Sequence, residues 1–272
     1  METNFQSISF LNLIDENLKS KIGLIGYQII KKFIDTNQLK LIRKELLNCE
    51  TKQTVQNTSS EYGQIRSPHL FSSVLCNYLK SDNLISIFDE LINKGSICHL
   101  YNGQICRKEL SHNQSLWHRD LNKPYIVKPP LAYNALLFLG ESNNEVDLES
   151  QKFDILPGSH LFEYLPDKNI FNQMMQRLDL NPGDLLVFDS LLWHRVVPCN
   201  LANQMFLNVM FTAAFLKQQI NLLGTNLNWL NSNGGLESDI ARILGYWSRS
   251  PNDIDEFRNP KDGIRTYRSN QG

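Results

Sequence analysis

The segment Leu116-Trp117-His118-Arg119-Asp120 places an imidazole and a carboxylate two positions apart. In an extended chain the side chains alternate between two faces, so His118 and Asp120 lie on one face and Arg119 on the other. With one more histidine, this pair would form a two-histidine, one-carboxylate set. Such a set suits Fe(II) and leaves coordination positions open for small molecules. Because His-X-Asp triplets also occur on surface strands and turns, the triplet needs a third ligand to identify a metal site.

Two further motifs follow in an order that fits one metal site. Asn181-Pro182-Gly183-Asp184 predicts a turn, and the apolar run 185–188 after it predicts a strand. This strand leads to Trp193-His194, which makes His194 the candidate third ligand. Between the two halves, Leu156-Pro157-Gly158-Ser159-His160 predicts a tight turn that ends in a histidine.

The ordered set of His-X-Asp, Pro-Gly-Ser-His and a Gly-Asp strand ending in histidine resembles the phytanoyl-CoA dioxygenase family. These are non-haem Fe(II)- and 2-oxoglutarate-dependent oxygenases, and the resemblance spans roughly residues 101–215. It implies that His118, Asp120 and His194 hold Fe(II), with 2-oxoglutarate and dioxygen in the remaining positions. It also implies hydroxylation or another oxidation of a small-molecule substrate, and a structural role for His160.

One position departs from the family pattern. The resemblance implies an arginine about ten residues past the distal histidine, where a guanidinium pairs with the far carboxylate of 2-oxoglutarate. Residues 202–207 read Ala-Asn-Gln-Met-Phe-Leu and contain no basic side chain. Lys108 or Arg107 on an earlier predicted strand could replace it, and Lys108 is preferred because it shares a face with Gln104. The candidate cosubstrate-binding residues are Lys108, Arg107, Gln104, Asn102, Tyr133 and Asn134. Either face of the strand that carries the first four can be the inner one.

The polar segment 51–67 predicts a loop, which is either simply solvated or, together with the residues to His69, a lid that orders over the site when a ligand binds. Trp117 and Trp193 adjoin the candidate ligands and would help to exclude water, although ordinary core aromatics have the same pattern. The candidate substrate or lid residues are therefore Arg66, His69, Trp117 and Trp193.

Composition favours one globular domain of 272 residues, with 42% hydrophobic residues and a formal net charge of −1. This charge predicts no general attraction to nucleic acid or to an anionic membrane. The five cysteines form no CxxC pair, which disfavours a disulfide framework and a zinc knuckle. No signal peptide or transmembrane run is apparent, so a cytoplasmic location is expected.

The hydrophobic periodicity predicts a mainly β protein with flanking helices, built on a double-stranded β-helix or jelly-roll barrel. The expected parts are a helical region at 1–97, a barrel at 98–216 and a C-terminal extension at 217–272. Helices are predicted after an Asp35 cap, over 72–92 with a break near 80–83, over 169–178 and over 237–244. Strands are predicted at 21–33, 99–108, 117–120, 132–139, 152–156, 184–188, 194–197 and 205–215.

Two alternatives to the oxygenase remain open. One is a metal-dependent oxidase or isomerase on the same barrel that does not use 2-oxoglutarate. The other is a binding protein without catalysis. The missing arginine favours both alternatives, whereas the complete ligand set disfavours a purely binding role.

Overall fold

A computed structural model of the protein contains two antiparallel sheets, with helices packed on one face of the larger sheet. It describes residues 18–52, 63–92, 96–106, 116–121, 131–141, 151–197, 204–213, 216, 218–220 and 224–246. The strands are β1 (Tyr27–Ile30), β2 (Gly63–Arg66), β3 (Ile97–Cys106), β4 (Ala132–Glu141), β5 (Gln151–Ile155), β6 (Gln176–Leu180), β7 (Leu185–Asp189), β8 (His194–Val196) and β9 (Gln204–Thr212). The helices are α1 (Leu18–Ile25), α2 (Thr36–Lys52), α3 (Ser73–Leu79), α4 (Asp82–Leu91), α5 (Lys168–Met174), α6 (Leu227–Ser232) and α7 (Asp239–Ile243).

The larger sheet has six strands in the order β1-β7-β4-β9-β3-β2, and the smaller has three in the order β6-β5-β8. An isolated antiparallel bridge between His118 and His194 extends the smaller sheet beyond β8. Most of the described strand pairs join strands that are distant in sequence, as expected for a jelly roll, whereas β2–β3 and β5–β6 are consecutive. The predicted mainly β fold with flanking helices is confirmed.

The two faces of the larger sheet pack against different partners. One face carries Tyr101 and Ile105 of β3 and packs in one buried cluster with the helices. The other face carries Phe138 of β4 and Phe206 of β9 and packs against Phe153 of the smaller sheet. We call this second face the inner face, because it lies between the two sheets.

Helix α2 begins as the sequence predicts. The Asp35 carboxylate accepts hydrogen bonds from the backbone N–H groups of Asn37 and Gln38, both at 2.8 Å. The Gln38 side chain accepts one in return from the Asp35 N–H at 3.1 Å, which completes a capping box. The predicted apolar face is buried and comprises Leu39, Ile42, Leu46 and Cys49. This face packs closely on β3, since a methyl group at Gly103 would overlap the Leu46 side chain.

The N-terminal part differs from the sequence-based expectation in three places. The strand predicted at 21–33 is helix α1 followed by only four residues of strand, since Gly26 ends the helix with a φ of 90°. The predicted loop at 51–67 is helical to Lys52 and becomes strand β2 at Gly63. The predicted break in the helix at 72–92 is confirmed, because α3 ends at Leu79 and α4 starts at Asp82.

Two differences lie closer to the candidate ligands. The strand predicted at 117–120 is reduced to the single bridge at His118. The helix predicted at 169–178 is α5 followed by β6, whose Leu178 and Leu180 point into the inner cluster. Among the described residues, none of the helices has the length and apolar character needed to cross a membrane.

Candidate metal centre

Three side chains converge at one edge of the smaller sheet. His118, Asp120 and His194 each offer one ligand atom, and these atoms all lie within 4.8 Å of one another. The Asp120 carboxylate places Oδ1 3.7 Å from His118 Nε2 and Oδ2 3.7 Å from His194 Nε2. These separations exceed hydrogen-bonding distance, so the three groups face a common point without bonding to one another. Atoms bound to one ion at about 2.1 Å lie at most about 4.2 Å apart, and the 3.7 Å separations fit that limit.

Backbone pairing fixes the positions of the three residues. His118 and His194 exchange two backbone hydrogen bonds, with N···O distances of 3.0 and 3.1 Å. The Asp120 N–H donates to the Ser190 carbonyl at 3.1 Å, which holds the carboxylate against the turn after β7. Alternation along the extended segment then directs both ligand side chains to one face, as the His-X-Asp pattern predicts.

Both imidazoles present Nε2 to the centre. His118 Nδ1 lies 2.9 Å from the Leu116 carbonyl, and His194 Nδ1 lies 2.9 Å from the Leu192 carbonyl. A carbonyl only accepts hydrogen bonds, so each Nδ1 carries the proton and each Nε2 lone pair is directed at the site. Burial lowers the pKa of His194, while the charge of Asp120 acts in the opposite direction. The neutral imidazole that a metal requires is therefore the favoured form, and this donor set fits a divalent ion that accepts two imidazoles and a carboxylate.

The centre is dry on one side and open on the other. The His194 side chain is 5% exposed, with Phe153 stacked on its ring at 5.4 Å and Phe188 edge-on at 4.8 Å. The side chains of Asp120 and His118 are 24% and 49% exposed. Small molecules can therefore approach the ligands from the His118 side.

The Pro-Gly-Ser-His turn supports both ligand segments. The Ser159 hydroxyl accepts a hydrogen bond from the Trp193 N–H at 2.9 Å, next to His194. Arg119 points away from the ligands and donates to the carbonyls of Ser159 at 2.8 Å and Phe162 at 2.7 Å. Its guanidinium also lies 4.9 Å from the centre of the Trp193 ring. The turn thus links the two ligand-bearing segments by backbone and side-chain contacts.

His160 lies outside the ligand cluster. Its Nε2 is 3.2 Å from the carbonyl of Gly23 in helix α1, to which the ring donates. This contact agrees with the structural role that the sequence analysis gives His160.

The predicted cosubstrate residues divide between the two faces of the larger sheet. Asn102, Gln104 and Asn134 lie on the inner face, because their strand partners are Asn208, Phe206 and Met210. The prediction that Tyr133 binds the cosubstrate is wrong, because its side chain lies on the opposite face of the sheet and is buried against the helices. Lys108 and Arg107 lie outside the described residues.

The predicted substrate and lid residues also separate. Trp117 and Trp193 are half-buried beside the ligands, and Trp117 meets Phe171 of α5 edge-on at 4.7 Å. The prediction that His69 contacts substrate or belongs to a lid is wrong, because His69 is 2% exposed and packs in the core against Tyr101 and Trp229. Arg66 is the last residue of β2, so the described end of the predicted lid is a strand paired with β3, while residues 53–62 lie outside the described part.

The sequence analysis does not predict three residues near the site, namely Ser190, Gln204 and Asn208. Asn134 Nδ2 donates to the Ser190 hydroxyl at 2.8 Å, and the Ser190 carbonyl in turn accepts from Asp120 N–H. Gln204 and Asn208 are inner-face residues of β9, which begins one residue before the strand predicted at 205–215. The available signal was the presence of polar side chains at even positions of an otherwise apolar strand.

No protein-family model matches the chain. Two uncharacterized proteins, one from Mycobacterium tuberculosis and one from Mycobacterium bovis, are each 24% identical to it over 276 aligned residues. Each alignment covers 94% of this chain and 96% of the relative.

Solved structures with the same fold include an alpha-ketoglutarate-dependent epimerase and a protein with 2-oxoglutarate bound. The non-haem alpha-ketoglutarate-dependent epimerase SnoN from nogalamycin biosynthesis aligns with a TM-score of 0.57 and 14% identity, over 73% of this chain and 83% of SnoN. HygX from Streptomyces hygroscopicus with nickel and 2-oxoglutarate bound aligns with a TM-score of 0.60 and 13% identity, over 75% of this chain and 89% of HygX. The HygX structure that also holds hygromycin B gives a TM-score of 0.59 and 14% identity. At these identities the comparison shows a shared jelly-roll fold.

Proposed function

We propose that this protein is a non-haem Fe(II)- and 2-oxoglutarate-dependent enzyme that oxidises a small molecule. The observation that carries the proposal is the convergence of His118 Nε2, His194 Nε2 and the Asp120 carboxylate at one edge of the jelly roll. The shared fold with SnoN and HygX supports it, because SnoN depends on alpha-ketoglutarate, which is 2-oxoglutarate, and HygX has 2-oxoglutarate bound. The motif resemblance to the phytanoyl-CoA dioxygenase family supports hydroxylation or a related oxidation as the reaction.

The chain's own residues have distinct tasks in this proposal. His118, Asp120 and His194 would hold Fe(II), which with 2-oxoglutarate and dioxygen supplies the oxidising chemistry when bound. The rings of Phe153 and Phe188 exclude water behind His194. The half-buried Trp117 and Trp193 alternate with the ligands and contact the outward-pointing Arg195 and Arg119, so they would hold the ligand-bearing segments in place.

Metal binding tests the proposal directly. Anaerobic titration of the purified protein with Fe(II), or with Ni²⁺ as a redox-stable probe, should show one site per chain. Replacing His118, Asp120 or His194 with alanine should weaken that site by more than about 100-fold, a larger effect than the loss of a residue that only orients a ligand. Asp179→Ala removes an exposed carboxylate of β6 and is the matched control, which should bind metal as the parent does.

Succinate formation from 2-oxoglutarate by the Fe(II)-loaded protein is the second measurement. Parent-like metal affinity in His194→Ala would overturn the ligand assignment. Metal binding without any 2-oxoglutarate binding would instead favour the second candidate, an oxidase or isomerase that uses the metal alone. The observation behind that candidate is Gln204, which stands in the stretch where the resemblance implies an arginine.

A further inference from the structure

A row of polar side chains crosses three strands on the inner face of the larger sheet. Arg66 of β2 is paired with Asn102 of β3, and Asn102 is paired with Asn208 of β9. Directly opposed residues in antiparallel strands point to the same face, with Cβ atoms about 4.5–5.5 Å apart. A guanidinium and two amides therefore lie side by side, and we call Arg66, Asn102 and Asn208 the Arg66 row.

The amides of this face have polar atoms without partners. Four buried amide atoms have no hydrogen-bond partner within the described part of the chain. They are Oδ1 of Asn102, Asn134 and Asn208, and Nε2 of Gln204. Asn102, Asn134 and Gln204 are at most 5% exposed. Buried polar groups in folded proteins are nearly always hydrogen-bonded, so four orphaned amide atoms on one face indicate a polar ligand.

These amides can match a carboxylate. A carboxylate only accepts hydrogen bonds, and a half-turn about the last side-chain bond lets an amide present its NH₂ group instead of its oxygen. Asn134 illustrates the exchange, because the Ser190 hydroxyl that now accepts from its Nδ2 can equally donate to its oxygen. The inner face can therefore surround a carboxylate with several N–H donors.

Arg66 adds the positive charge that a buried carboxylate requires. A carboxylate removed from water without a cation is costly, and a planar guanidinium can bind both of its oxygens at once. Among the described inner-face residues of the larger sheet, Arg66 is the only lysine or arginine. The usual place for this charge on β9 carries Gln204 instead.

The spacing from the metal centre suits a short dicarboxylate. Asn134 connects to Asp120 through Ser190 and belongs to the inner-face row next to the Arg66 row, since its partner Met210 is two residues from Asn208. Two residues along a strand span about 7 Å and neighbouring strands lie about 4.8 Å apart, so a five-carbon chain that chelates the metal at one end can extend toward Asn208 of β9. Arg66 lies two strands beyond β9, about 10 Å across the sheet, and its long side chain would extend along the inner face to the same carboxylate.

We propose that Arg66, Asn102 and Asn208 bind the distal carboxylate of 2-oxoglutarate, in place of an arginine on the last strand. The inference rests on the proposed function, because the other end of the cosubstrate must chelate the metal held by His118, Asp120 and His194. The positive charge that binds the distal carboxylate would then be Arg66 on the edge strand β2, and not an arginine on β9.

Titration with two different 2-oxo acids distinguishes the contribution of the distal carboxylate to the binding affinity from that of the chelating group. We would titrate the Ni²⁺-loaded protein with 2-oxoglutarate and with 2-oxobutyrate, which keeps the chelating end but lacks the distal carboxylate. The parent should bind 2-oxoglutarate more tightly, and Arg66→Gln should weaken that binding by about 30-fold or more. The same variant should leave 2-oxobutyrate binding unchanged, because that ligand does not reach the Arg66 row. Asn102→Leu and Asn208→Leu should show the same selective loss with smaller magnitude.

Arg177→Gln is the matched control, because it removes a positive charge from the smaller sheet, where Arg177 pairs with Asp154. It should leave both affinities unchanged. Arg66→Lys keeps the charge without the planar fork and should give an intermediate affinity, so the series stays informative if the glutamine variant folds poorly. Equal affinities of the parent for the two acids, or an unchanged 2-oxoglutarate affinity in folded Arg66→Gln and Arg66→Lys, would overturn the inference while leaving the metal site intact. A parent that binds no metal would instead overturn the proposed function, and this inference with it.

Discussion

The imidazole of His69 is enclosed by aromatic rings in the core. It stacks on Tyr101 with ring centres 5.8 Å apart and meets Trp229 edge-on at 5.6 Å. Neither ring nitrogen has a hydrogen-bond partner among the described residues. Burial lowers the pKa of His69 to about 3 from the ordinary value of 6.5, so the ring stays neutral in the folded protein.

His69 should make the protein sensitive to mild acid. Between pH 6.5 and pH 3 the unfolded chain binds a proton at this residue and the folded chain does not, so the free energy of unfolding falls as the pH falls. From pH 6.5 to pH 5.0 the loss should be about 1.6 kcal/mol. His69→Phe keeps a buried ring without a titrating group, and urea unfolding at the two pH values should show that this loss is absent. An equal loss in parent and variant would contradict the assignment, and their difference should stay constant between pH 7 and pH 8.

The burial of His69 could not be predicted from the sequence around it. Arg66-Ser67-Pro68-His69 follows a polar stretch, which is typical of an exposed segment. The chain turns sharply at Ser67, whose φ of 53° is in the left-handed region, and this turn directs His69 into the core. Positive φ at a serine has no dependable sequence signal, because such a conformation is stabilised by the surrounding structure.

At the scale of elements, one carboxylate joins all three strands of the smaller sheet. Asp154 of β5 is buried and accepts hydrogen bonds from Arg177 of β6 at 2.7 Å and from Arg195 of β8 at 2.8 Å. Burial by itself would raise the pKa of Asp154, but the hydrogen bonds and charges of the two arginines outweigh it and hold the pKa below its usual value. The sheet that carries His194 thus depends on an ion pair on its outer side.

Asp154→Asn should weaken this sheet. The variant leaves two arginines without their anion, and we expect the free energy of unfolding at pH 7 to fall by about 2–3 kcal/mol, less than for a fully buried pair because both arginines are partly exposed. The parent should also lose this contribution as the pH falls below about 4, since a carboxylate with a lowered pKa stabilises only while it is ionised, and the variant should not. Urea unfolding at pH 7 and pH 3 measures both effects. Asp179→Asn on the neighbouring strand is the control, and equal stability of the two variants would contradict the role of Asp154.

The elements that sequence could predict were those with strong local patterns. The Asp35 capping box and the apolar run after Asn181-Pro182-Gly183-Asp184 both form as expected, because each is decided within a few residues. Strand β6 was missed because its five residues follow helix α5 directly, and a short alternating run is hard to separate from a helical pattern. The isoleucines of helix α1 favour a strand in the sequence pattern, yet Gly26 ends the helix before the strand begins.

At the scale of the molecule, the centre joins segments that are far apart in sequence. The ligands lie on the edge of the smaller sheet, and Asn134 of the larger sheet reaches Asp120 through Ser190. The sequence was sufficient to predict which three residues are the candidate ligands, because each of them belongs to a local motif. It could not choose the inner face of β3, because alternation gives two equivalent faces. That choice depends on the register of β3 with β9, whose residues lie about a hundred positions downstream.

Metal loading should therefore stabilise the whole fold. An ion that binds the folded chain at His118, Asp120 and His194 and does not bind the unfolded chain adds about 2.7 kcal/mol at a free concentration 100 times its Kd. For a domain of this size the gain should raise the melting temperature by about 5–10 °C. Calorimetry with and without Ni²⁺ measures the shift, which should be absent in His194→Ala and retained in Arg66→Gln, because Arg66 lies outside the ligand set. 2-Oxoglutarate should then add a further shift to the metal-loaded parent and a smaller one to Arg66→Gln. A full metal-induced shift in His194→Ala would mean that the ion stabilises the protein from another site.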